Sequence, residues 1–149
     1  MKKSLSAEQN KGSTAAEQEE RMERITVPGA QPVRGHYSMA VRDGKDIYIS
    51  GQLPVDQFTG CPCQGDVKEQ ARQALGNFCN VLTAAGAGIS DVVKVVVYIA
   101  DIQMWDEVNE VYSEFFGEHY PARSIVPVKP LHYGFLIEIE GIARLHQED

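Results

Sequence analysis

Between two segments that each carry apolar residues on a single helical face, the chain runs Asp91-Val-Val-Lys-Val-Val-Val-Tyr-Ile99. So many β-branched side chains in nine residues demand an extended strand, because they pack well on a pleated surface and lose χ1 freedom in a helix. Ahead of this run, Val67, Ala71, Ala74, Leu75, Phe78, Leu82 and Ala85 recur at spacings of three and four, the period of one helical face. Asp66, with Glu69 three residues on, is in capping-box position, and Gly86 and Gly88 stop the segment. Behind the run, Trp105, Val108, Val111, Tyr112, Phe115 and Phe116 form a second stripe, between Asp101 and Gly117. A strand therefore separates two helices, each with one face to bury.

The remaining elements are strands. His36–Val41 and Asp46–Gly51 flank Arg42-Asp43-Gly44-Lys45, and the Asp-Gly pair suits a tight type I′ hairpin turn. Residues 51–60, with Pro54 and two glycines, are loop. Strands at about 124–128 and 135–145 complete the order β-β-α-β-α-β-β. The economical arrangement is an α+β domain, with both helices on one face of a mixed sheet. On the last strand Ile137, Ile139, Ala143 and Leu145 point one way, while Leu136, Glu138, Glu140, Ile142 and Arg144 point the other. The second, half-apolar face has no cover in the chain, so a homo-oligomer is expected.

Residues 1–24 read as an N-terminal extension: polar, without aromatics, and helical at most through the Ser13-Thr14-Ala-Ala-Glu17 capping box. The domain proper is residues 25–149. The net charge is −7, from 14 Lys+Arg and 21 Asp+Glu. The extension carries five basic and five acidic residues, so the whole excess lies in the domain. That balance argues against nucleic-acid binding, which runs on clustered Lys and Arg. No apolar run is long enough for a membrane helix, and the first residues lack the apolar stretch of a secretory signal, so cytoplasm is the expected location. Cys61, Cys63 and Cys79, with His36, His119, His132 and His146, show no four-ligand zinc spacing, and no metal is expected.

Two residues near the end carry the chemistry. Arg123 follows Pro121-Ala122 at a strand start, and its planar fork can grip a carboxylate bidentately. Glu138 lies fifteen residues on, alternating with apolar neighbours. Taken singly, each reads better as surface decoration, an exposed arginine paired with an acid and a polar-out strand residue.

Together with their neighbours they resemble a known family. Pro121-Ala122-Arg123-Ser124 and Ile137-Glu138-Ile139-Glu140, preceded by Gly35-His36-Tyr37, Ile49-Ser50-Gly51-Gln52-Leu53-Pro54-Val55, Gln70-Ala71-Arg72-Gln73-Ala74-Leu75 and Val108-Asn109-Glu110-Val111-Tyr112, are similar to landmarks of the reactive intermediate deaminase (Rid), YjgF-like, family. The match runs from about Arg34 to Leu145. The resemblance implies a chorismate-mutase-like subunit in a homotrimer with clefts between subunits, using no cofactor or metal. It implies hydrolysis of 2-aminoacrylate-like enamines and imines to a 2-keto acid and ammonia. Arg123 would clamp the substrate carboxylate and Glu138 would act as general base on water. Tyr37, Ser50, Gly51, the Ile125 backbone and Asn109 would line the substrate site. The chain departs from the pattern in having Ile125 where many relatives carry cysteine, and His36 where proline is frequent. Two further readings remain open: a non-catalytic trimer that binds a small carboxylate, and RNA cleavage, which the acidic charge disfavours.

Overall fold

A computed structural model describes residues 22–146. Its strands are β1 (Glu23–Ile25), β2 (Ala40–Asp43), β3 (Asp46–Gln52), β4 (Val92–Ile99), β5 (Ala122–Pro127) and β6 (Ile137–Arg144). Helix α1 (Val67–Ala84) lies between β3 and β4, and α2 (Trp105–Phe116) between β4 and β5. The six strands form one mixed sheet in the order β1-β2-β3-β6-β4-β5. Only β4 and β5 pair in parallel, and α2 supplies the crossover that a parallel pair requires. The expected α+β architecture is present, with one strand more than the sequence suggested.

That strand is β1. Glu23 and Arg24, read from sequence as the end of the extension, begin it and pair with Arg42 and Val41 of β2. Three residues are too few for an alternation to be seen, and the strand exists through its partner. The helix read through Arg24 otherwise lies outside the described residues. The hairpin turn also differs from expectation. Asp43 pairs directly with Asp46, leaving Gly44 and Lys45 as the turn, and only Gly44 has positive φ, at 61°. A type I′ turn needs positive φ at both central residues, so this is the II′ pattern with glycine first.

Helix α1 starts as read. Asp66 Oδ1 accepts from the Glu69 amide at 2.9 Å, and the Asp66 amide donates to Glu69 Oε2 at 3.0 Å. The reciprocal box satisfies two amides that the first turn cannot, a gain of about 1 kcal/mol. The buried face of α1 includes Ala71, Ala74, Leu75, Phe78 and Leu82, packed on Ile47, Val95, Val97, Ile137 and Ile139 of the sheet. Gly141 of β6 permits this packing: a β-carbon there would stand 2.9 Å from the Phe78 ring and 2.7 Å from the Lys94 carbonyl oxygen.

The other sheet face has no covering layer among the described residues. Tyr48, Val93 and Val126 are exposed, and Glu138, Glu140 and Ile142 are half-buried. The alternation read from β6 is therefore correct: Ile137, Ile139 and Ala143 turn to the helices and the acids to the open face.

Candidate active site

The open face carries a groove of about 1280 Å³, bounded by the loop after β1, the loop after β3 and the turn before β6. Glu138 and Glu140 line it, with Tyr37, Ser50, Gly51 and His132. Its shape depends on a bulge in β3. Ile49 pairs with Gly141 and Gln52 with Ile139, so β3 has one residue too many and Ser50-Gly51 buckle out beside β6. The Ser50 hydroxyl donates to the Ser38 carbonyl at 2.6 Å, tying the bulge to the segment that carries Tyr37. Gln52, buried, donates from Nε2 to the Ser50 carbonyl at 2.9 Å and accepts from Gln57 Nε2 at 3.0 Å. Gly51 has no side chain because Glu138 occupies that space: a β-carbon would overlap Oε1 and stand 2.9 Å from Cδ. Tyr37 is 54% exposed.

Burial pushes the Glu138 carboxyl above its usual range, and the neighbouring Glu140 charge pushes the same way, while His132 opposes them. The Tyr98 hydroxyl donates to Glu140 Oε1, and that bond raises the Tyr98 pKa. A half-buried carboxyl that holds its proton more tightly than usual, facing a groove, has the properties of a general base.

Arg123 is elsewhere. In the parallel register it pairs with Val95, and Ile125 with Val97, so both side chains turn to the helix side with those buried valines. Arg123 Nη1 donates to Asn109 Oδ1 of α2 at 2.8 Å. Its guanidinium carbon lies 4.7 Å from the Tyr112 ring centre and 5.6 Å from that of Trp105. The Tyr112 hydroxyl is buried without a partner among the described residues, and burial lifts its pKa to about 12 against the opposing Arg123 charge. Glu138, by contrast, pairs with Tyr98 on the open side. The predicted residues thus fall into two groups on opposite faces of one sheet. Tyr37, Ser50, Gly51 and Glu138 share the groove, while Arg123, Asn109 and Ile125 sit at the β5 edge by α2.

Sequence reasoning passed over Tyr98, Gln52 and the aromatic seat of Arg123. The acids at 138 and 140, two apart on one strand face, were a usable signal for Glu140. Tyr98 gave none, since its partner lies 42 residues away. Among the described residues no three of His, Cys, Asp and Glu are placed to share a metal ion, and no helix is long and apolar enough to cross a membrane.

Known proteins resemble this chain in both sequence and fold. Residues 29–145 match the family model described as Endoribonuclease L-PSP. A RutC family protein of Pyrococcus horikoshii is 48% identical over 73% of this chain and 86% of its own. Human 2-iminobutanoate/2-iminopropanoate deaminase is 44% identical over 80% of this chain and 87% of its own. The crystal structure of the YjgF gene product of E. coli superposes with a TM-score of 0.78 at 39% identity, covering 83% of this chain and 99% of that one. With a family model matching residues 29–145 and close matches in sequence and fold, the chain belongs to the Endoribonuclease L-PSP family, also called YjgF or Rid.

Proposed function

We propose that this chain is an imine deaminase, hydrolysing 2-aminoacrylate-like imino acids to the 2-keto acid and ammonia, in a cytoplasmic homotrimer whose clefts join two subunits. The observation that carries the reading is Glu138, a half-buried carboxyl of raised proton affinity facing a groove, in a chain 44% identical to a 2-iminobutanoate/2-iminopropanoate deaminase. An imino acid is already electrophilic at its C=N carbon, so two tasks remain. Its carboxylate must be held, and a water must be deprotonated as it attacks. Arg123 performs the first: Asn109 takes one of its donors and the Tyr112 and Trp105 rings fix its plane, leaving the rest of the fork for a carboxylate. Glu138 performs the second.

Water oxygen bonds to the imine carbon while Glu138 takes its proton, a role that contributes about 10²–10⁴-fold. The C=N electron pair moves to nitrogen, which takes the proton back from Glu138. The carbinolamine's hydroxyl proton then passes through Glu138 to the amine as the C–N bond breaks, which releases ammonia and leaves the C=O of the keto acid. The Tyr37 hydroxyl and the backbone of Ser50-Gly51 and Ile125 border the substrate. No step calls for a cofactor or a metal.

One chain cannot perform this alone, because Arg123 and Glu138 face opposite sides of its sheet. In the proposed trimer the β5–α2 edge of one copy presents Arg123 to the groove of the next. This also covers the exposed apolar side chains of the open face.

The test generates 2-aminoacrylate in situ from serine with a dehydratase and follows pyruvate and ammonia. Wild type should accelerate their release over the spontaneous rate, and Arg123→Ala and Glu138→Gln should not. Equal, negligible acceleration by all three would overturn the reading. Carboxylate binding without turnover is the second reading, because Ile125 packs on the core where many relatives carry a thiol. Saturable binding of a 2-keto acid without acceleration would select it. RNA cleavage ranks last, since the groove presents Glu138, Glu140 and Asp56 to a polyanion.

A further inference from the structure

Glu140 and Tyr98 have no task in imine hydrolysis as proposed, yet they are joined on the open face. Tyr98 stands directly across from Glu138 in the β4–β6 register, and its hydroxyl reaches diagonally to Glu140. The bond is internal to the chain and fixes the Glu140 side chain on the same face as Glu138, two residues along the strand. That spacing puts the two carboxylates about 7 Å apart along the strand axis. The bulged Gly51, which lies between the partners of Ile139 and Gly141, stands close against the Glu138 carboxylate on the β3 side: a β-carbon there would overlap Oε1.

We propose that Glu140, fastened by the Tyr98 hydroxyl, is a positioning residue whose fixed negative charge keeps Glu138 a strong base. The inference rests on the deaminase reading for its purpose, though not for its electrostatics. The other groups facing Glu138 do not supply that charge. β3 contributes the uncharged Ser50, Gly51 and Tyr48, and β4 contributes Tyr98 and, farther along, Lys94 opposite Ile142. The loop after β1 brings Arg34 and Tyr37, the loop after β3 brings Asp56 at the outer groove, and the turn before β6 brings His132. Of these, His132 acts on Glu138 in the opposite sense, as Arg123 of the neighbouring copy would in the proposed trimer, so Glu140 is the neighbour that reinforces burial. The arrangement is costly for folding, since two acids crowd one face, and it makes sense where a carboxylate must remain basic in a half-buried groove.

The test has two readouts on Glu140→Gln, which keeps the shape and an acceptor for Tyr98. The first is direct titration of Glu138 by carboxyl NMR in labelled protein, and the second is the pH profile of kcat/KM for imine hydrolysis. At about 7 Å and partial solvent exposure, removing the charge should lower the Glu138 midpoint and the acid limb of the profile by about half a unit to one unit. Glu140→Asp, which retains the charge, should titrate close to wild type. A Glu138 midpoint unmoved in Glu140→Gln, or moved upward, overturns the proposal even if activity falls, because that would be a structural effect. A midpoint that moves down in Glu140→Gln while the wild-type protein hydrolyses no imine sustains the electrostatic role and overturns the deaminase reading.

Discussion

Gly51→Ala is the smallest change that isolates the groove. Its added carbon would overlap Glu138 Oε1, stand 2.9 Å from Cδ and 3.3 Å from Cγ. Ordinary contact begins near 3.5 Å, so the carboxylate must withdraw by the order of 1 Å. A displacement of that size at a reacting group costs about 10²-fold, or roughly 2.7 kcal/mol of transition-state stabilisation. The fold should suffer much less. Glu138 faces the groove and can move into it, so the overpacking penalty falls near the low end, about 1 kcal/mol. For a domain of this size that lowers the Tm by about 2–4 °C. Imine hydrolysis and thermal melts of the same preparation measure both. Gly76→Ala in α1 is the control: nothing lies within 4 Å of its added carbon, so activity should be unchanged and the melt equal or higher. Wild-type kcat/KM in Gly51→Ala would refute the argument that the bulge exists to seat Glu138.

Three further outcomes follow. Asn109→Ala removes the 2.8 Å bond that orients Arg123, and should raise KM for a small imino acid roughly ten- to hundredfold with a smaller change in kcat, measured by initial rates. Because the Glu138 carboxyl is raised in the folded state, its ionised form opposes folding at pH values above that raised pKa. Below the unfolded value both states are protonated and the effect vanishes. Glu138→Gln should therefore raise the Tm at pH 8 and leave it unchanged at pH 4 by calorimetry. His132→Gln removes the charge that opposes burial, and should move the acid limb of kcat/KM to higher pH.

What could be read beforehand followed the range of the interaction. Helix α1, its capping box and its apolar face are local, and Asp66, Glu69 and Phe78 stand where the spacing put them. The alternation of β6 is equally local, and it separated Ile137 and Ile139 from Glu138 and Glu140. β1 and the hairpin turn were misjudged because pairing, not composition, decides them: Glu23 is in a strand because Arg42 lies across from it, 2.9 Å away between charged atoms. The site residues were named through several motifs in order, which no single motif would have allowed. Their arrangement was hidden. Whether Arg123 and Glu138 share a face depends on the register of β5 on β4 and of β4 on β6, and no periodicity within one strand carries that information. The Tyr98–Glu140 bond was hidden for the same reason.

The central claim is that the arginine and the glutamate act together although one chain keeps them on opposite faces. Arg123→Ala and Glu138→Gln proteins, each inactive alone, can be unfolded together and refolded as mixed assemblies. If the site spans two copies, random mixing at equal amounts gives about a quarter of the clefts an intact arginine from one chain and an intact glutamate from the next. Imine hydrolysis should then return to about a quarter of the wild-type rate. If every site lies within one chain, each chain keeps its lesion, and the mixture will be as inactive as its parents.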